Sequence, residues 1–168
     1  MLFHDRDEAG ELLADVLLNL RAERPVVLGI PAGGVVVARH VADRLGAPLG
    51  AVTTLGDEPF AATEPGRAAS GRTVVVVDDG IRSGATMLAA LDAVATAGPR
   101  RLLAAAPVAP QRLSLGRHAA DLYAVARPAP FAHVRRWYTD FPDVDDDEVR
   151  AALADSAQFW AYAGATSL

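Results

Sequence analysis

The sequence contains no cysteine, no lysine and no long hydrophobic run. Without cysteine, the chain can form neither a disulfide nor a thiolate metal site, and it has no cysteine nucleophile. The longest apolar stretch covers residues 102–110, far fewer than the roughly 20 residues that span a bilayer. The N-terminal segment MLFHDRDEAG is charged and lacks the apolar core of a secretory signal. We therefore expect a cytoplasmic protein without a membrane partner.

Positive charge is scarcer than negative charge. Sixteen basic residues, all arginine, stand against 21 acidic ones, which gives a formal net charge of −5. The arginines are scattered along the chain, so the clustered basic surface that binds duplex nucleic acid is not predicted. With 168 residues, 51% of them hydrophobic, the chain is long enough to bury the core of one domain. We predict a single domain over residues 1–168, with a C-terminal arm from about residue 131.

Short apolar runs alternate with segments of helical periodicity along the chain. This alternation predicts an α/β fold in which a mostly parallel sheet is flanked by helices. The valine run at 74–77 indicates a central strand that is buried on both faces. Ligands of such sheets bind beyond the carboxyl ends of the strands. The predicted strands cover residues 26–30, 49–53, 72–77, 102–108 and 122–126, and the predicted helices cover 5–21, 35–45, 85–97 and 111–118, with a loop or short hood at 54–71 and a capped helix start at 145–148.

The most informative segment, residues 72–87, reads RTVVVVDDGIRSGATM. An apolar strand ends there in two carboxylates, and a turn of small residues then opens a helix. The first N–H groups of a helix have no intrahelical partner and carry partial positive charge, so they bind phosphate where small residues let it approach. The candidate phosphate-binding residues are Arg82, Ser83, Gly84, Ala85 and Thr86.

Two adjacent acids, Asp78 and Asp79, end the predicted strand. Carboxylates at this place can accept hydrogen bonds from ribose hydroxyls or hold a hydrated magnesium ion. The alternative is that Ser83 or Asp79 only caps a helix and that Gly80 only turns the chain, which is the commoner role of an isolated Asp-Gly. The whole string favours a phosphate site. Two rival phosphate motifs fit less well, because a P-loop needs a lysine before its hydroxyl residue and residues 29–34 read GIPAGG instead of the dinucleotide fingerprint.

Residues 72–87 resemble the signature of type I phosphoribosyltransferases. LGIPAGGVVVA at 28–38 is similar to the pyrophosphate-loop region of stand-alone members, and residues 5–14 and 137–149 are similar to their opening helix and C-terminal segment. The resemblance implies a type I phosphoribosyltransferase fold and a small phosphorylated ribose ligand, phosphoribosyl pyrophosphate, bound with magnesium as cofactor. By position, it implies that Asp78 and Asp79 are catalytic acids that hold the ribose diol and the hydrated metal, that Arg82, Ser83, Gly84, Ala85 and Thr86 hold the 5-phosphate, and that Ala32, Gly33 and Gly34 hold the pyrophosphate.

The sequence departs from the family pattern where a leaving pyrophosphate needs positive charge. Members usually have a basic residue where Ala32 stands and a basic pair near Thr53 and Thr54. The hood between Thr54 and Arg72 is shorter than theirs, and many nucleobase enzymes have an acid at Arg82 that acts as general base, which an arginine cannot do. The resemblance implies phosphoribosyl transfer to an unknown acceptor. The alternatives are a non-catalytic module that senses phosphoribosyl pyrophosphate or a nucleotide, and a loop that no longer binds a ligand.

The aromatic residues of the arm, Trp137, Tyr138 and Phe141, have two interpretations. They could stack on a base, but aromatic residues in a C-terminal arm more often pack onto the domain, so we predict packing. A homo-oligomer is compatible with the sequence, which does not specify the number of subunits.

Overall fold

One parallel sheet forms the centre of the molecule. The computed structural model describes residues 2–52, 57–116 and 121–154. The strands follow the order β2-β1-β3-β4-β5, and every neighbouring pair is parallel. The predicted α/β class and parallel sheet are therefore confirmed. The strands are β1 (Val26–Gly29), β2 (Leu49–Ala51), β3 (Thr73–Val77), β4 (Arg101–Val108) and β5 (Asp121–Ala126).

Helices cover both faces of this sheet. Successive side chains of a strand point to opposite faces, and β3 shows the result: Val75 and Val77 join the core beneath two helices, while Val74 and Val76 join the core beneath a third. All five residues of β3 are buried, which confirms the predicted central strand. The helices are α1 (Arg6–Val16) and α2 (Gly33–Leu45) on the first face, α4 (Ala85–Ala95) on the second, and the shorter α3 (Glu64–Ala69) and α5 (Asp146–Ala154).

The strand order determines where a ligand can bind. The chain leaves β1 toward β2 on one side, whereas β3 and the later strands continue on the other side of β1. In an open parallel sheet this reversal creates a crevice at the carboxyl ends of the two strands where it occurs, here β1 and β3. Ile30 continues from β1 and donates its N–H to Val77 O at 2.9 Å, so the loops that follow both strands begin side by side.

The segment after β2 contains more helix than the sequence analysis predicts. We expected a loop over 54–71, but a 3-10 helix forms at Phe60–Ala62 and α3 follows it. Thr63 is the N-cap of α3: its Oγ1 accepts the N–H of Gly66 at 3.1 Å, and Pro65 occupies the first turn. A Thr cap followed by Pro is a helix-start signal, and the surrounding Gly and Ala residues obscured it. Thr53 and Thr54 lie outside the described residues.

Two helix predictions were wrong in extent. The first helix ends at Val16 rather than near residue 21, and the chain continues as a 3-10 helix at Leu18–Glu23. The helix expected at 111–118 is absent over residues 111–116, and the remainder of that prediction, including His118, lies outside the described residues. Pro110 and a left-handed Gly116 with φ of 69° bound this short segment.

The C-terminal arm, residues 131–142, packs on the N-terminal segment. The rings of Phe3 and Tyr138 lie 5.3 Å apart, those of Tyr138 and Phe141 lie 4.6 Å apart, and Tyr138 is only 3% exposed. The predicted packing role of these aromatics is confirmed. The acidic helix start is confirmed as well, because the N–H of Glu148 bonds Asp145 Oδ1 at 2.8 Å and its carboxylate accepts the N–H of Asp145 at 2.9 Å, which is a reciprocal capping box.

Glu23 stabilises the end of the sheet opposite the crevice. Its carboxylate accepts a bond from the buried Thr73 hydroxyl at 2.7 Å and one from Arg101 at 2.6 Å. The Thr73 bond, reinforced by the charges of Arg101 and Arg100, lowers the pKa of Glu23 below its ordinary 4.5.

Replacing Glu23 with Gln is expected to lower the melting temperature near pH 7. Loss of the charge in this partly exposed pair costs up to about 1 kcal/mol, which corresponds to roughly 2–4 °C for a domain of this size. Because the folded-state pKa is depressed, the carboxylate stabilises the fold above pH 4.5 and this contribution is lost as the pH falls through the folded pKa. The difference between Glu23→Gln and wild type should therefore shrink in acid. Glu11→Gln, at an exposed position of α1, is the control, and a deficit independent of pH would contradict this assignment.

Candidate functional site

A small cleft lies where β3 passes into α4. It has a volume of about 130 Å³ and is lined by Asp78, residues 80–87 and Val134. Gly84 is the N-cap of α4, with φ of 88°, and has no side chain that could cap the helix. The N–H of Ala85 donates to Ser83 Oγ at 3.3 Å. The predicted residues Arg82, Ser83, Gly84, Ala85 and Thr86 thus form one wall of a cavity at a helix N-terminus, where an anion is stabilised.

The two acids at the end of β3 face different surroundings. Asp78 lines the cleft, and its Oδ1 accepts the N–H of Asp79 at 2.9 Å. Burial, reinforced by the negative charge of Asp79, raises the pKa of Asp78 well above its ordinary value. Asp79 does not line the cleft; its Oδ2 is 2.9 Å from Nε of Arg6, and both side chains are largely buried, at 17% and 10% exposed. A carboxyl whose pKa is shifted by burial and a neighbouring charge is common beside a cleft where a protein binds a ligand.

The loop after β1 packs against these acids. The peptide bond between Pro31 and Ala32 is cis, and α2 begins at Gly33. A Cβ at Gly33 would lie 2.1 Å from Asp79 Oδ2, and one at Gly34 would lie 2.7 Å from Val77 O. Only glycines permit this approach. The three predicted pyrophosphate-loop residues therefore lie beside the acid pair, at a second helix N-terminus on the same edge of the sheet.

Residues 4–121 of this chain match the phosphoribosyl transferase domain family. The chain belongs to the phosphoribosyl transferase family. The match includes both loops and both acids, and it ends before the C-terminal arm begins. The predicted type I fold is confirmed by the five-stranded parallel sheet described above and by a solved phosphoribosyltransferase structure among the structural neighbours.

Curated relatives and a solved structure support membership of this family. A Mycobacterium tuberculosis protein named "Putative phosphoribosyl transferase" is 32% identical over 98% of this chain. The "Bifunctional protein PyrR" of Streptomyces coelicolor is 41% identical over 48% of this chain. This chain spans about half the length of these curated relatives, 49% and 50%. A solved Thermus thermophilus structure is 35% identical, with a TM-score of 0.77 over 94% of this chain and 100% of that one.

Three residues that the sequence analysis did not assign to the site lie beside the acid pair and the cleft. Arg6 pairs with Asp79, Tyr138 donates its hydroxyl to Asp79 O at 2.6 Å, and Val134 covers the cleft where a Cβ on Gly80 would meet it at 2.3 Å. Burial, and secondarily the Asp79 charge, raises the pKa of Tyr138. Only Arg6 carried a sequence signal, as a cation in an otherwise acidic first helical turn; the other two reach the site through tertiary packing of the arm.

The described residues contain neither a membrane-spanning helix nor a cluster of metal-ligating side chains. No helix in 2–52, 57–116 or 121–154 combines the length and apolar character needed to cross a bilayer. Within the same ranges, no group of three or more His, Cys, Asp or Glu side chains is arranged to hold a metal ion.

Proposed function

We propose that this phosphoribosyl transferase family member binds phosphoribosyl pyrophosphate, or another ligand with a ribose 5-phosphate, and transfers the phosphoribosyl group to an acceptor. One observation carries the proposal: the cleft of about 130 Å³ combines a helix N-terminus with the carboxyl of Asp78 at the switch point of the sheet. A phosphate fits the N–H groups of residues 84–87, and a ribose diol fits the acid. The two chemical groups of the ligand thus have separate partners within one cavity.

The loop before α4 is suited to the 5-phosphate, and the loop before α2 is suited to the pyrophosphate. Ser83 and Thr86 supply hydroxyl donors beside the helix N-terminus, and exposed Arg82 supplies a charged donor for the 5-phosphate. Ala32, Gly33 and Gly34 offer a second helix start, of α2, for the pyrophosphate. In the transfer, the bond from the anomeric carbon to the pyrophosphate oxygen breaks and a bond to the acceptor forms. Donors at the pyrophosphate stabilise the charge that develops on the leaving group, and donors at the 5-phosphate hold the transferred sugar in place.

Magnesium fits this arrangement as a water-rich ion. Magnesium in phosphate sites keeps several waters and binds through one or two carboxylates together with substrate phosphates. Asp78 lines the cleft and forms no ion pair with a basic side chain among the described residues, whereas one Asp79 oxygen is engaged by Arg6. When bound, the ion would neutralise pyrophosphate charge. Asp78 is the residue that we expect to orient it.

A pocket at the arm is our candidate for the acceptor site. It has a volume of about 650 Å³, within the usual range of small-molecule sites, and is lined by residues 128–132 and 136–138. Phe131 and Trp137 stack there with ring centroids 6.1 Å apart. The Trp137 indole N–H is buried without a hydrogen-bond partner in the described part of the chain. A planar acceptor with a hydrogen-bond acceptor atom would satisfy it.

A second candidate function is a non-catalytic module that senses phosphoribosyl pyrophosphate or a nucleotide. It is favoured by the neutral pyrophosphate loop, because Ala32 provides no countercharge and the nearby Arg6 is already paired. Binding of phosphoribosyl pyrophosphate without release of pyrophosphate would establish this alternative, and release with any acceptor would reject it.

The binding step is tested by calorimetry with phosphoribosyl pyrophosphate, ribose 5-phosphate and inorganic phosphate, each with and without magnesium. We expect all three to bind, with phosphoribosyl pyrophosphate tightest and dependent on magnesium. If none binds while the protein remains folded, the proposal is wrong.

Asp78→Asn is expected to weaken magnesium-dependent binding of phosphoribosyl pyrophosphate about tenfold. A hydrogen bond contributes roughly 0.5–1.5 kcal/mol, and more when one partner is charged, and the acid serves the sugar and the ion rather than the phosphate. Binding of inorganic phosphate should change little. Asp43→Asn, at an exposed position of α2, is the matched control. Equal losses for both ligands would show that Asp78 does not distinguish ribose from phosphate.

A further inference from the structure

Arg6 occupies a position that is unfavourable for a cation. It is the first residue of α1, at the positive end of the helix dipole. Its neighbours Asp5, Asp7 and Glu8 follow the usual preference for acids, and Asp5 caps the helix through the N–H of Glu8 at 2.9 Å. Arg6 is also 8% exposed. A buried cation at this place must be compensated by its contacts.

Three contacts compensate it, and they join two different parts of the molecule. Nε donates to Asp79 Oδ2 at 2.9 Å, and Nη1 donates to Pro142 O at 2.5 Å. The guanidinium carbon lies 3.7 Å from the centroid of Phe141, within range of a cation–π interaction. One contact therefore reaches the acid pair, and the other two reach the C-terminal arm.

The C-terminal arm also contacts the backbone of Asp79. Tyr138 donates its hydroxyl to Asp79 O at 2.6 Å, so the arm holds both the main chain and, through Arg6, the side chain of this acid. Gly33 packs directly against the pair of Arg6 and Asp79, because a Cβ there would lie 2.1 Å from Asp79 Oδ2 and 2.7 Å from Arg6 Nε. Asp79 is therefore held against Arg6 and the start of α2, and it is not among the residues that line the cleft.

We propose that Arg6 is a positioning residue that ties Asp79 to the C-terminal arm, so that Asp78 alone of the two acids is presented to the ligand. The ligand part of this inference rests on the proposed function. Arg6 and Asp79 form the support of the site: they fix the end of β3, the start of the pyrophosphate loop and the arm relative to one another. The two adjacent acids therefore have different roles, although their sequence positions suggest a common one.

Hydrogen exchange tests, without any ligand, whether Arg6 and Asp79 hold the C-terminal arm in place. The N–H groups of Thr139 and Asp140 bond Phe3 O at 2.9 Å and His4 O at 2.7 Å, immediately before Arg6. Arg6→Gln and Asp79→Asn should each accelerate exchange at these two amides, and the double variant should exchange no faster than the single ones, because partners in one contact are not additive. Unchanged exchange, or additive acceleration, would overturn the inference whether or not the protein binds phosphoribosyl pyrophosphate.

Calorimetry with phosphoribosyl pyrophosphate and magnesium tests the link to the ligand. Loss of a residue that orients a ligand-binding group typically costs about 10- to 100-fold, so Arg6→Gln and Asp79→Asn should each weaken binding by about tenfold, again without additivity. The control is Arg101→Gln, which breaks an ion pair of 2.6 Å with Glu23 at the opposite end of the sheet; it should lower the melting temperature and leave binding unchanged.

Failure of the proposed function and failure of the positioning role of Arg6 would give different results. If wild-type protein binds nothing, the proposed function is wrong and the exchange experiment alone decides the role of Arg6. If wild type binds, Asp79→Asn weakens binding and Arg6→Gln leaves it intact or improves it, then Asp79 itself faces the ligand and the positioning role is overturned.

Discussion

Gly84→Ala is expected to weaken binding of inorganic phosphate and of phosphoribosyl pyrophosphate about 100-fold. Gly84 has φ of 88°, a conformation that costs an L residue roughly 1–2 kcal/mol. An added Cβ would also lie 3.1 Å from both Leu113 and Leu115. Relief of the backbone strain requires rotation of the peptides that open α4, which moves the N–H groups away from the anion, and the two leucines limit how far the added Cβ can shift. A displacement of about 1 Å in a positioned site can cost about 100-fold.

Gly98→Ala provides the matched control for this variant. Gly98 also has a positive φ, 69°, and lies just beyond the end of the same helix, but nothing lies within 4 Å of a Cβ built there. It should therefore suffer a comparable backbone penalty and lower the melting temperature, while phosphate affinity, measured by calorimetry, stays at the wild-type value. Wild-type affinity in Gly84→Ala, or equal losses in both variants, would show that the helix start does not hold the phosphate.

The parts of the fold that sequence could predict are those fixed by local pattern. The valine run of β3 is buried on both faces, so its apolar character alone indicates a central strand. The turn from Asp78 to Thr86 places its functional groups within one loop, and local chain connectivity then brings them to one cavity. Gly33 and Gly34 were predictable for a related reason: they follow β1, and the carboxyl ends of parallel strands share one edge of the sheet.

The parts that sequence did not predict depend on contacts between distant segments. Arg6 lies 73 positions from Asp79 and 136 from Pro142, so no local pattern connects them. Tyr138 was correctly predicted to pack, but its bond to Asp79 O required knowledge of where the arm lies. The division of roles between Asp78 and Asp79 is likewise tertiary, because adjacent residues at a strand end are distinguished only by what each side chain meets.

The second large effect concerns catalysis: wild-type protein should turn over phosphoribosyl pyrophosphate slowly with adenine, guanine, hypoxanthine, uracil and orotate. A leaving pyrophosphate gathers negative charge, and loss of one well-placed donor from such a site costs about 100- to 1,000-fold. Ala32 supplies no charge. Arg6 approaches Gly33, but its Nε and Nη1 are engaged by Asp79 and Pro142. Against a typical kcat of about 10 per second, we expect pyrophosphate release below roughly 0.1 per second.

A gain of charge tests the cause of this slow rate. Ala32→Lys is expected to accelerate pyrophosphate release by about tenfold or more at saturating magnesium, since a charged donor to the leaving group is restored. Ala32→Gln is the neutral control of similar length, and it should remain as slow as wild type. If Ala32→Lys is no faster than Ala32→Gln, the missing charge at this position does not limit the reaction. Rapid release by wild type with any one of the five bases would show that other residues supply the countercharge, and it would exclude a purely sensory role.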